Sequence, residues 1–532
     1  MKWFVLLVLP AAFVAAQVTG VDPEAKTGFE SINAADLKTY LSYLASDALQ
    51  GRETSYPGEK LAAAYIADRF HDFGLRPMGD SGSYLQHYTV EVLGVDDSSG
   101  VVVTNGVEQS KFTWGKGIVA FGARDTTVSG NVACVGYMDS RTPPAEVAGL
   151  AGKVVLAFAG SRPGESSGRT MPRRLFGIAR RDSGALATLI VADDTGAASF
   201  PQVMATMYSL GVGRGSMVLK GGAPRSGRFT RLAFFVTPAV GEAILKSSGL
   251  SLREVRRMAA EDSLFPLMNL DPVTVTIRER EKREERGAEN VVGMIEGSDP
   301  VLKNDVVVFS AHFDHLGVGA GGAIYHGADD DGSGTSMVIE LARAFALNPA
   351  KPRCSLLFLT VSGEEKGLLG SAYYTTHPVV PLERTVADFN TDMIGRMDSV
   401  HQADHSGPYS YLIGSDKIST ELDSLVRAAD RESNNIALDY EYDNDHDPNQ
   451  FYKRSDHYNF AKHGVPIAFF FTGVHADYHK PTDTIDKILF NRIVKIGQVI
   501  YYAGWKTANA GGMLPRNVTS SDYLEAPSSG GR

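Results

Sequence analysis

The sequence predicts an α/β fold in which a mostly parallel mixed sheet is flanked by helices and carries a β-rich insertion. Two observations predict it. From Val306 onward, short apolar runs alternate with helical segments, which is the pattern of βαβ units. Between residues 96 and 271 the sequence changes to short β-rich runs separated by Gly and Ser turns, which indicates a separate module.

Two helices are predicted ahead of this module. Asn33 and Asp36 have the spacing of a helix N-cap with an acidic residue in the first turn, and an apolar face continues to Leu44. A second helix is predicted over Gly58–Phe73, because Gly74 is typical of a helix end.

The elements of the main sheet are predicted from short apolar runs and from the helical segments between them. The predicted strands are Tyr88–Val92, Val306–Ser310, Ser355–Val361, Val386–Asn390 and Ile467–Phe471, and the predicted helices are Ser333–Leu347, Leu369–Tyr374 and Ile488–Trp505. The charged run Arg278–Arg286 is predicted to be a solvated connector between the module and the main domain.

The first sixteen residues have the pattern of an export signal. Lys2 supplies a positive charge, Trp3–Ala15 is apolar, and Val14-Ala15-Ala16 provides small residues for cleavage before Gln17. The apolar segment is shorter than the roughly 20 residues that span a bilayer. We therefore expect a secreted or periplasmic protein with no membrane attachment after signal cleavage.

A chain of 532 residues exceeds what one hydrophobic core usually supports, so two domains are predicted. The predicted segments are a signal peptide at 1–16, a discontinuous main domain at 17–95 and 272–507, an inserted domain at 96–271, and a disordered tail at 508–532. None of the 13 histidines lies between His87 and His312, so imidazole chemistry is expected in the C-terminal half.

Composition excludes several classes of protein. The formal net charge of −10 gives no overall attraction to phosphate backbones, so a nucleic-acid partner is not expected. Cys134 and Cys354 are the only cysteines, which excludes a disulfide framework and a thiolate-rich zinc site. A bound metal would therefore use nitrogen and oxygen ligands. The sequence leaves the oligomeric state open.

Polar side chains of the types that bind metals follow several predicted strands. In a parallel sheet the carboxyl ends of the strands meet at one edge, where ligands bind. The candidates are His312 and Asp314 after the strand VVVFS, Glu364 and Glu365 after SLLFLTV, Asp392 after VADFN, and His479 after IAFFF.

Asp329, Asp330 and Asp331 are three consecutive acidic residues before a predicted helix. Their charges repel one another unless solvent or cations neutralise them, so a metal site is one interpretation. The other is an acidic cap, which the helix dipole favours by roughly 0.3 to 1 kcal/mol per charge. Together with the strand-end residues, the run favours a metal-dependent enzyme.

These residues lie in ordered motifs: AHFDHLG at 311–317, GADDDGSG at 327–334, SGEEKGLLGS at 362–371, NTDMIG at 390–395, RSDHYNF at 454–460 and DYHKPTDT at 477–484. With them the sequence resembles the co-catalytic di-zinc aminopeptidase family, which includes leucyl aminopeptidases, aminopeptidase Y and glutamate carboxypeptidase. The stretch 44–70 resembles the opening helices of that family. Residues 150–164 and 184–193 resemble a protease-associated domain.

The resemblance implies a zinc-exopeptidase fold with two Zn²⁺ ions and a peptide substrate. By the family pattern Asp329 would bridge the ions, His312 and Asp392 would complete one site, and Glu365 and His479 the other. Asp314 would accept the second ring N–H of His312. A cis peptide would precede Asp330.

The family pattern also implies the reaction. Glu364 would act as general base toward a water activated by the metals, and Tyr452 would donate a hydrogen bond to the developing oxyanion. His315, His457 and His463 are expected to pack or to form hydrogen bonds. The predicted activity is that of a metallo-aminopeptidase.

Three alternatives stay open. A carboxypeptidase of the glutamate carboxypeptidase type would need a basic pocket, for which Arg396 and Arg454 are candidates. A glutaminyl cyclase would hold one zinc ion. A non-catalytic binding protein on the same fold, such as the transferrin receptor ectodomain, should have lost ligands that this sequence retains. Manganese or cobalt could replace zinc at such ligands.

Overall fold

The computed structural model describes residues 20–120, 125–137, 149–159, 184–193, 199–209, 216–222, 232–261, 265–404 and 407–518. The chain divides into two compact units. The first comprises residues up to His87, Glu289–Gly317 and the chain from Tyr325, and the second comprises Tyr88–Ala288 and Val318–Ile324. The second unit thus begins before residue 96 and ends after residue 271, the borders predicted for the insertion. The predicted signal peptide lies outside the described residues.

Helices and strands are numbered along the described chain. The helices are α1 Lys26–Ser31, α2 Ala34–Leu44, α3 Pro57–Asp72, α4 Phe200–Ser209, α5 Pro238–Leu245, α6 Leu252–Glu261, α7 Gly332–Leu347, α8 Leu369–Thr376, α9 Ser399–Ala403, α10 Thr420–Glu432, α11 His457–Lys462 and α12 Phe490–Asn509. The strands are β1 Arg76–Pro77, β2 Leu85–Val95, β3 Gly100–Asn105, β4 Glu108–Thr113, β5 Ile118–Ala120, β6 Thr126–Gly136, β7 Val154–Phe158, β8 Ala187–Val191, β9 Ser216–Leu219, β10 Ala233–Val236, β11 Met268–Glu279, β12 Glu281–Ile295, β13 Val306–His312, β14 Ser355–Val361, β15 Thr385–Thr391, β16 Tyr409–Ile413, β17 Ala437–Asp439 and β18 Ile467–Phe471.

The first unit is built on a mixed sheet in the strand order β17-β16-β18-β15-β13-β14-β12. The central pairs β18–β15, β15–β13 and β13–β14 are parallel, whereas β14–β12 and β16–β18 are antiparallel. This is the mostly parallel mixed sheet that the sequence predicts. Four parallel strands therefore present their carboxyl ends at one edge.

Both faces of this sheet are covered, which is why its central strands are buried along their whole length. Val307 and Phe309 of β13 belong to a core that includes buried side chains of α7 and α12. Val306 and Val308 of the same strand belong to a second core that includes Tyr374 of α8. Successive side chains of a strand point to opposite faces, so one short run stabilises two layers.

The second unit contains an eight-stranded sheet in the order β4-β3-β11-β6-β7-β8-β10-β5. The pairs β6–β7, β7–β8 and β8–β10 are parallel and the others are antiparallel. Val240 of α5 and Val255 of α6 pack in the core of this sheet. The β-rich character agrees with the sequence, and the assignment as a protease-associated domain stays a prediction.

Two expectations about the chain change with the structure. The charged run Arg278–Arg286 lies largely within strands, because β11 ends at Glu279 and β12 begins at Glu281. Ala508, predicted to begin a disordered tail, lies in α12, and its carbonyl accepts a hydrogen bond from Cys354. Cys134 and Cys354 are buried free thiols. In the described part of the chain, no helix is long and apolar enough to cross a membrane.

Asp388→Asn is expected to remove a pH dependence of stability. Asp388 is buried in β15, where burial raises its pKa to about 8 although the Ser310 hydroxyl donates a hydrogen bond to it. Because this pKa lies above the ordinary value of 3.8, the contribution of Asp388 to folding is complete below about pH 4 and is lost as the pH rises toward 8. The slope is at most about 1.4 kcal/mol per pH unit.

Urea unfolding at pH 5 and pH 8 measures this dependence. The variant should gain stability relative to the wild type as the pH increases. Asp404→Asn, at an exposed position, is the control, and it should show the same dependence of stability on pH as the wild type. Parallel pH slopes for the wild type and Asp388→Asn would contradict the prediction.

Candidate metal centre

Four of the five predicted metal ligands lie close together at the carboxyl edge of the main sheet. His312 is the last residue of β13, and Asp392 immediately follows β15. Glu365 lies in the loop after β14, and His479 lies in the loop after β18. Because β13, β14, β15 and β18 are parallel neighbours, their separate loops reach one place.

Asp330 lies at the centre of the cluster. Its Oδ1 is 3.4 Å from Nε2 of His312, which is itself 3.7 Å from Oδ1 of Asp392. Its Oδ2 is 3.1 Å from Nε2 of His479, which is 3.2 Å from Oε2 of Glu365. The two oxygens of one carboxylate thus face two different sets of donors.

This geometry corrects the predicted place of Asp329. The carboxylate of Asp329 turns away from the cluster, where Oδ1 accepts the N–H of Gly395 at 2.6 Å and Oδ2 lies 3.1 Å from Nε2 of His475. Asp483 accepts the backbone N–H groups of Asp329 and Asp330 and so fixes the loop. Consecutive residues in this loop project in different directions, so the carboxylate that lies between the two sets of donors belongs to Asp330, one residue after the predicted Asp329.

Asp331 has a third role. It caps α7 by accepting the N–H of Gly334 at 2.9 Å, and it also accepts the N–H groups of Met393 at 3.1 Å and His312 at 3.3 Å. The cis peptide of this loop joins Asp330 to Asp331, one residue later than the resemblance implies. The acidic run therefore supplies both the cluster and the helix cap, on different residues.

The environment of His312 differs in detail from the prediction. Its Nδ1 lies 3.2 Å from the backbone carbonyl of Asp314 and 3.7 Å from the carboxylate of the same residue. That carboxylate instead accepts the N–H of Glu364 at 3.1 Å and the hydroxyl of Thr54 at 2.7 Å. Asp314 therefore connects the loop after β13 to the loop after β14.

Sequence reasoning missed His315 and His475 as neighbours of the cluster. Nδ1 of His315 lies 2.8 Å from Oε1 of Glu365, and the side chain is fully buried. His475 contacts Asp329 and is also buried. His315 belongs to the motif at 311–317, and His475 lies two residues before the motif at 477–484, but the spacing of a motif carries no information on which histidine lies beside the cluster.

The cluster is strongly anionic. Burial lowers the pKa of His312, but the carboxylates of Glu364, Asp314, Asp330 and Asp392 outweigh burial and raise it well above the ordinary value. Burial raises the pKa of Glu364 well above its usual range, against the opposing effect of His312. These pKa shifts arise because several negative charges are buried close together. Bound cations would neutralise the same charges.

The donor atoms fit divalent cations. Among the described residues, His312 Nε2, Asp330 Oδ2 and Asp392 Oδ1 are buried and form no hydrogen bond within the protein. Buried polar atoms are seldom left unpaired in folded proteins, because the free energy of desolvation is then uncompensated. Imidazole nitrogens and carboxylate oxygens are ligands that zinc accepts.

The segment that carries this cluster matches a known protein family. Residues 290–504 match the description Peptidase family M28. This segment is a Peptidase family M28 domain. Curated relatives of the chain include a probable leucine aminopeptidase 2 of Aspergillus oryzae, 28% identical over 303 residues, and aminopeptidase YwaD of Bacillus subtilis, 27% identical over 227 residues. The alignments cover 52% and 40% of this chain.

The chain spans about half the length of these curated relatives, 55% of the first and 43% of the second. Solved structures resemble more of it. An aminopeptidase from Aneurinibacillus sp. strain AM-1 has a TM-score of 0.50 at 20% identity, with 94% of this chain and 100% of that chain covered. BSAP, a zinc aminopeptidase of Bacillus subtilis, has a TM-score of 0.50 at 18% identity, with 93% and 98% covered. These likenesses confirm the predicted fold class.

A cleft of the M28 domain opens above the cluster. Its lining includes Asp330, Glu364, Asp392 and His479, together with apolar side chains such as Met393, Phe469 and Phe471. Among the described lining residues Arg454 is the arginine, whereas Arg396 pairs with Asp477 at 3.0 Å. Of the two arginines considered for the basic pocket of a carboxypeptidase, Arg454 is therefore the one that lines the cleft.

Among the described residues that line this cleft of the M28 domain, Tyr478 is the tyrosine. Tyr452, predicted to serve the oxyanion, lines a neighbouring cavity with Lys417 and Asp443. Within the turn Phe451–Lys453, Phe451 takes the cleft position and the next side chain lies on another side. Tyr452 is not among the described residues that line the cleft, and its role at the oxyanion stays a prediction.

Proposed function

We propose that this chain is an exported di-zinc aminopeptidase. His312 and Asp392 would hold one ion, Glu365 and His479 the other, and Asp330 would hold both. The observation that carries the proposal is the placement of Asp330, whose two carboxylate oxygens lie 3.4 Å and 3.1 Å from histidine nitrogens on opposite sides. A single cation would need only one of these sets.

Glu364 is the proposed general base. When bound, two zinc ions would lower the pKa of a water toward about 7 and polarise the scissile carbonyl. Glu364 lines the cleft, with Oε2 3.9 Å from Nε2 of His312, and its backbone N–H is fixed by Asp314. Its carboxylate is placed to accept the proton of the attacking water and to pass it to the leaving amine.

Tyr478 is the proposed donor to the oxyanion. It lines the cleft beside Glu364, and Arg454 Nη2 donates to its hydroxyl at 3.2 Å. Burial raises the pKa of Tyr478, and the carboxylates of Asp330 and Glu365 raise it further, so the hydroxyl keeps its proton. A neutral hydroxyl next to the reacting carbonyl can donate a hydrogen bond as charge develops.

Tyr478→Phe is expected to lower kcat by about 10²- to 10³-fold with little change in KM, because the lost hydrogen bond forms only in the transition state. Steady-state kinetics on an aminoacyl substrate measures the effect. Tyr452→Phe is the matched control and should stay near the wild type. A large loss in Tyr452→Phe with none in Tyr478→Phe would reverse the assignment.

Aminopeptidase activity is favoured over carboxypeptidase activity by the charge of the cleft. Glu364, whose carboxylate is not assigned to a metal ion, lines it and would attract the ammonium group of a peptide amino terminus. The curated relatives that carry aminopeptidase names support the same choice. Arg454 is the feature that a carboxypeptidase would use instead.

A panel of free and amino-acetylated peptides, each with and without chelator, tests the proposal. Free peptides should lose their first residue, acetylated peptides should resist cleavage, and the chelator should abolish turnover. Equal cleavage of acetylated peptides would refute aminopeptidase activity, and release of the last residue would support a carboxypeptidase. A protein that purifies without stoichiometric metal would support the binding-protein alternative.

Export is proposed from the pattern of residues 1–16 alone. Amino-terminal sequencing of protein recovered outside the cytoplasm should begin at Gln17. An intact Met1 on that protein would contradict signal cleavage.

A further inference from the structure

A short segment near the amino terminus, Gly51–Thr54, lies against the loops that carry the cluster. The N–H of His315 donates to the carbonyl of Arg52 at 3.1 Å, and the N–H of Gly317 donates to the carbonyl of Gly51 at 3.0 Å. At Gly51 φ is +70°, and a Cβ would lie 2.6 Å from the carbonyl oxygen of Gly317. This close approach requires glycine.

The guanidinium of Arg52 is fully buried and donates hydrogen bonds to four backbone carbonyl groups. Nε donates to Phe313 at 2.7 Å, Nη1 donates to His326 at 2.7 Å and to Leu44, and Nη2 donates to Gly327 at 2.9 Å. A guanidinium presents its donors in a rigid plane, so these contacts fix the relative positions of the carbonyls.

The two ends of the connection between β13 and α7 carry the central residues of the cluster. Phe313 directly follows His312, and Gly327 lies three residues before Asp330. His312 Nε2 and Asp330 Oδ1, which are 3.4 Å apart, therefore depend on two ends of one connection that a single side chain holds together. Small displacements of ligand atoms weaken metal sites because coordination distances vary by only a few tenths of an ångström.

The next residues of the segment are connected to the loop after β14. Thr54 donates its hydroxyl to Oδ2 of Asp314 at 2.7 Å, and Oδ1 of Asp314 accepts the N–H of Glu364 at 3.1 Å. Glu53 forms an ion pair with Lys366 at 2.8 Å. The loop of the proposed base is thus tied to the same short segment.

Charge supports the choice of arginine. Asp314, Asp330, Asp331 and Asp483 act electrostatically on Arg52, yet its hydrogen bonds described above all go to carbonyl oxygens. The cation therefore offsets part of the negative charge of the cluster without occupying carboxylate oxygens. Oδ2 of Asp330, which forms no hydrogen bond within the protein, stays available to a metal ion.

We propose that Arg52 is a positioning residue of the metal centre, which holds the two ends of the connection between β13 and α7 so that His312 faces Asp330. This inference rests on the proposed function, since it requires that the cluster binds cations. Arg52 lies outside the segment that matches Peptidase family M28, residues 290–504.

The experiment compares Arg52→Met, Arg52→Lys and Thr54→Val in the full chain. Competition with a chromophoric chelator measures zinc affinity, and the absorption spectrum of the Co²⁺ form reports ligand geometry. Arg52→Met should weaken binding of at least one cation by about 10- to 100-fold. Arg52→Lys, which keeps the charge but not the fork, should recover part of this loss, and Thr54→Val should lose less than Arg52→Met.

Arg343→Met is the matched control. Arg343 is a largely buried arginine that pairs with Glu340 at 2.6 Å and donates to the carbonyl of Ser31, away from the cluster. Its loss should lower the melting temperature without changing zinc affinity or the Co²⁺ spectrum. If Arg52→Met fails to fold, Arg52→Lys and Thr54→Val decide, with weaker zinc binding expected in both.

The outcomes separate the two proposals. A wild-type protein that binds no cation would overturn the proposed function itself. A wild-type protein that binds two cations, with equal affinity and an equal Co²⁺ spectrum in the Arg52 variants, would overturn only the role of Arg52. Equal losses of affinity in Arg52→Met and Arg343→Met would also overturn it, because the effect would then follow from general destabilisation.

Discussion

Asp330→Asn is expected to reduce the metal content from two ions to at most one and to lower kcat by about 10³-fold or more. An asparagine has a single side-chain oxygen, so it can serve one of the two donor sets that Asp330 faces at 3.4 Å and 3.1 Å. The contribution of a metal to transition-state stabilisation is several kcal/mol, and each 1.36 kcal/mol is a factor of about ten in rate. Elemental analysis and steady-state kinetics measure both effects.

Asp329→Asn is the control for this prediction. Its carboxylate contacts Gly395 and His475 outside the cluster, so the variant should keep two ions and lose no more than about tenfold in rate. The opposite result, with metal lost in Asp329→Asn and kept in Asp330→Asn, would restore the assignment that the sequence motif implied.

Glu364→Gln is expected to keep both metals and to lose at least about 10²-fold in kcat. Glutamine keeps the size of the side chain but cannot accept the proton of the attacking water. The metal content should be unchanged, because Glu365, Asp330 and His479 form their contacts without Glu364. Metal analysis together with a pH profile of kcat checks the prediction.

Glu365→Gln is the neighbouring control. It should lower metal content as well as rate, since Oε2 of Glu365 lies 3.2 Å from His479. Near wild-type turnover of Glu364→Gln at full metal occupancy would remove Glu364 as the general base.

Most of the fold was predictable because its sequence signals are local. The apolar runs of β13, β14, β15 and β18 and the alternating helices carry the pattern of a parallel sheet wherever they stand in the chain. The convergence of His312, Glu365, Asp392 and His479 then follows from topology, since each lies in the loop after a parallel strand. These predictions needed no knowledge of side-chain direction.

The differences between the expected and the observed placements share one physical cause. Asp329 lies one residue from Asp330, whose side chain faces the cluster, and Tyr452 lies one residue from Phe451, which lines the cleft. In a loop the direction of each side chain depends on backbone dihedrals that long-range hydrogen bonds fix, such as those from the N–H groups of Asp329 and Asp330 to Asp483. A sequence motif gives the order of residues but not these dihedrals.

By itself, the sequence determined the chemistry available to this protein, which is nitrogen and oxygen ligands after the ends of parallel strands. The chain has two cysteines, and its acidic residues outnumber its basic residues. Only the tertiary structure decided which carboxylate is shared, which tyrosine lines the cleft, and that Arg52 lies beneath the cluster. The physical reason is that residue types are local information. Which atoms of Arg52, His312 and Asp330 meet is set by contacts between segments more than 200 residues apart.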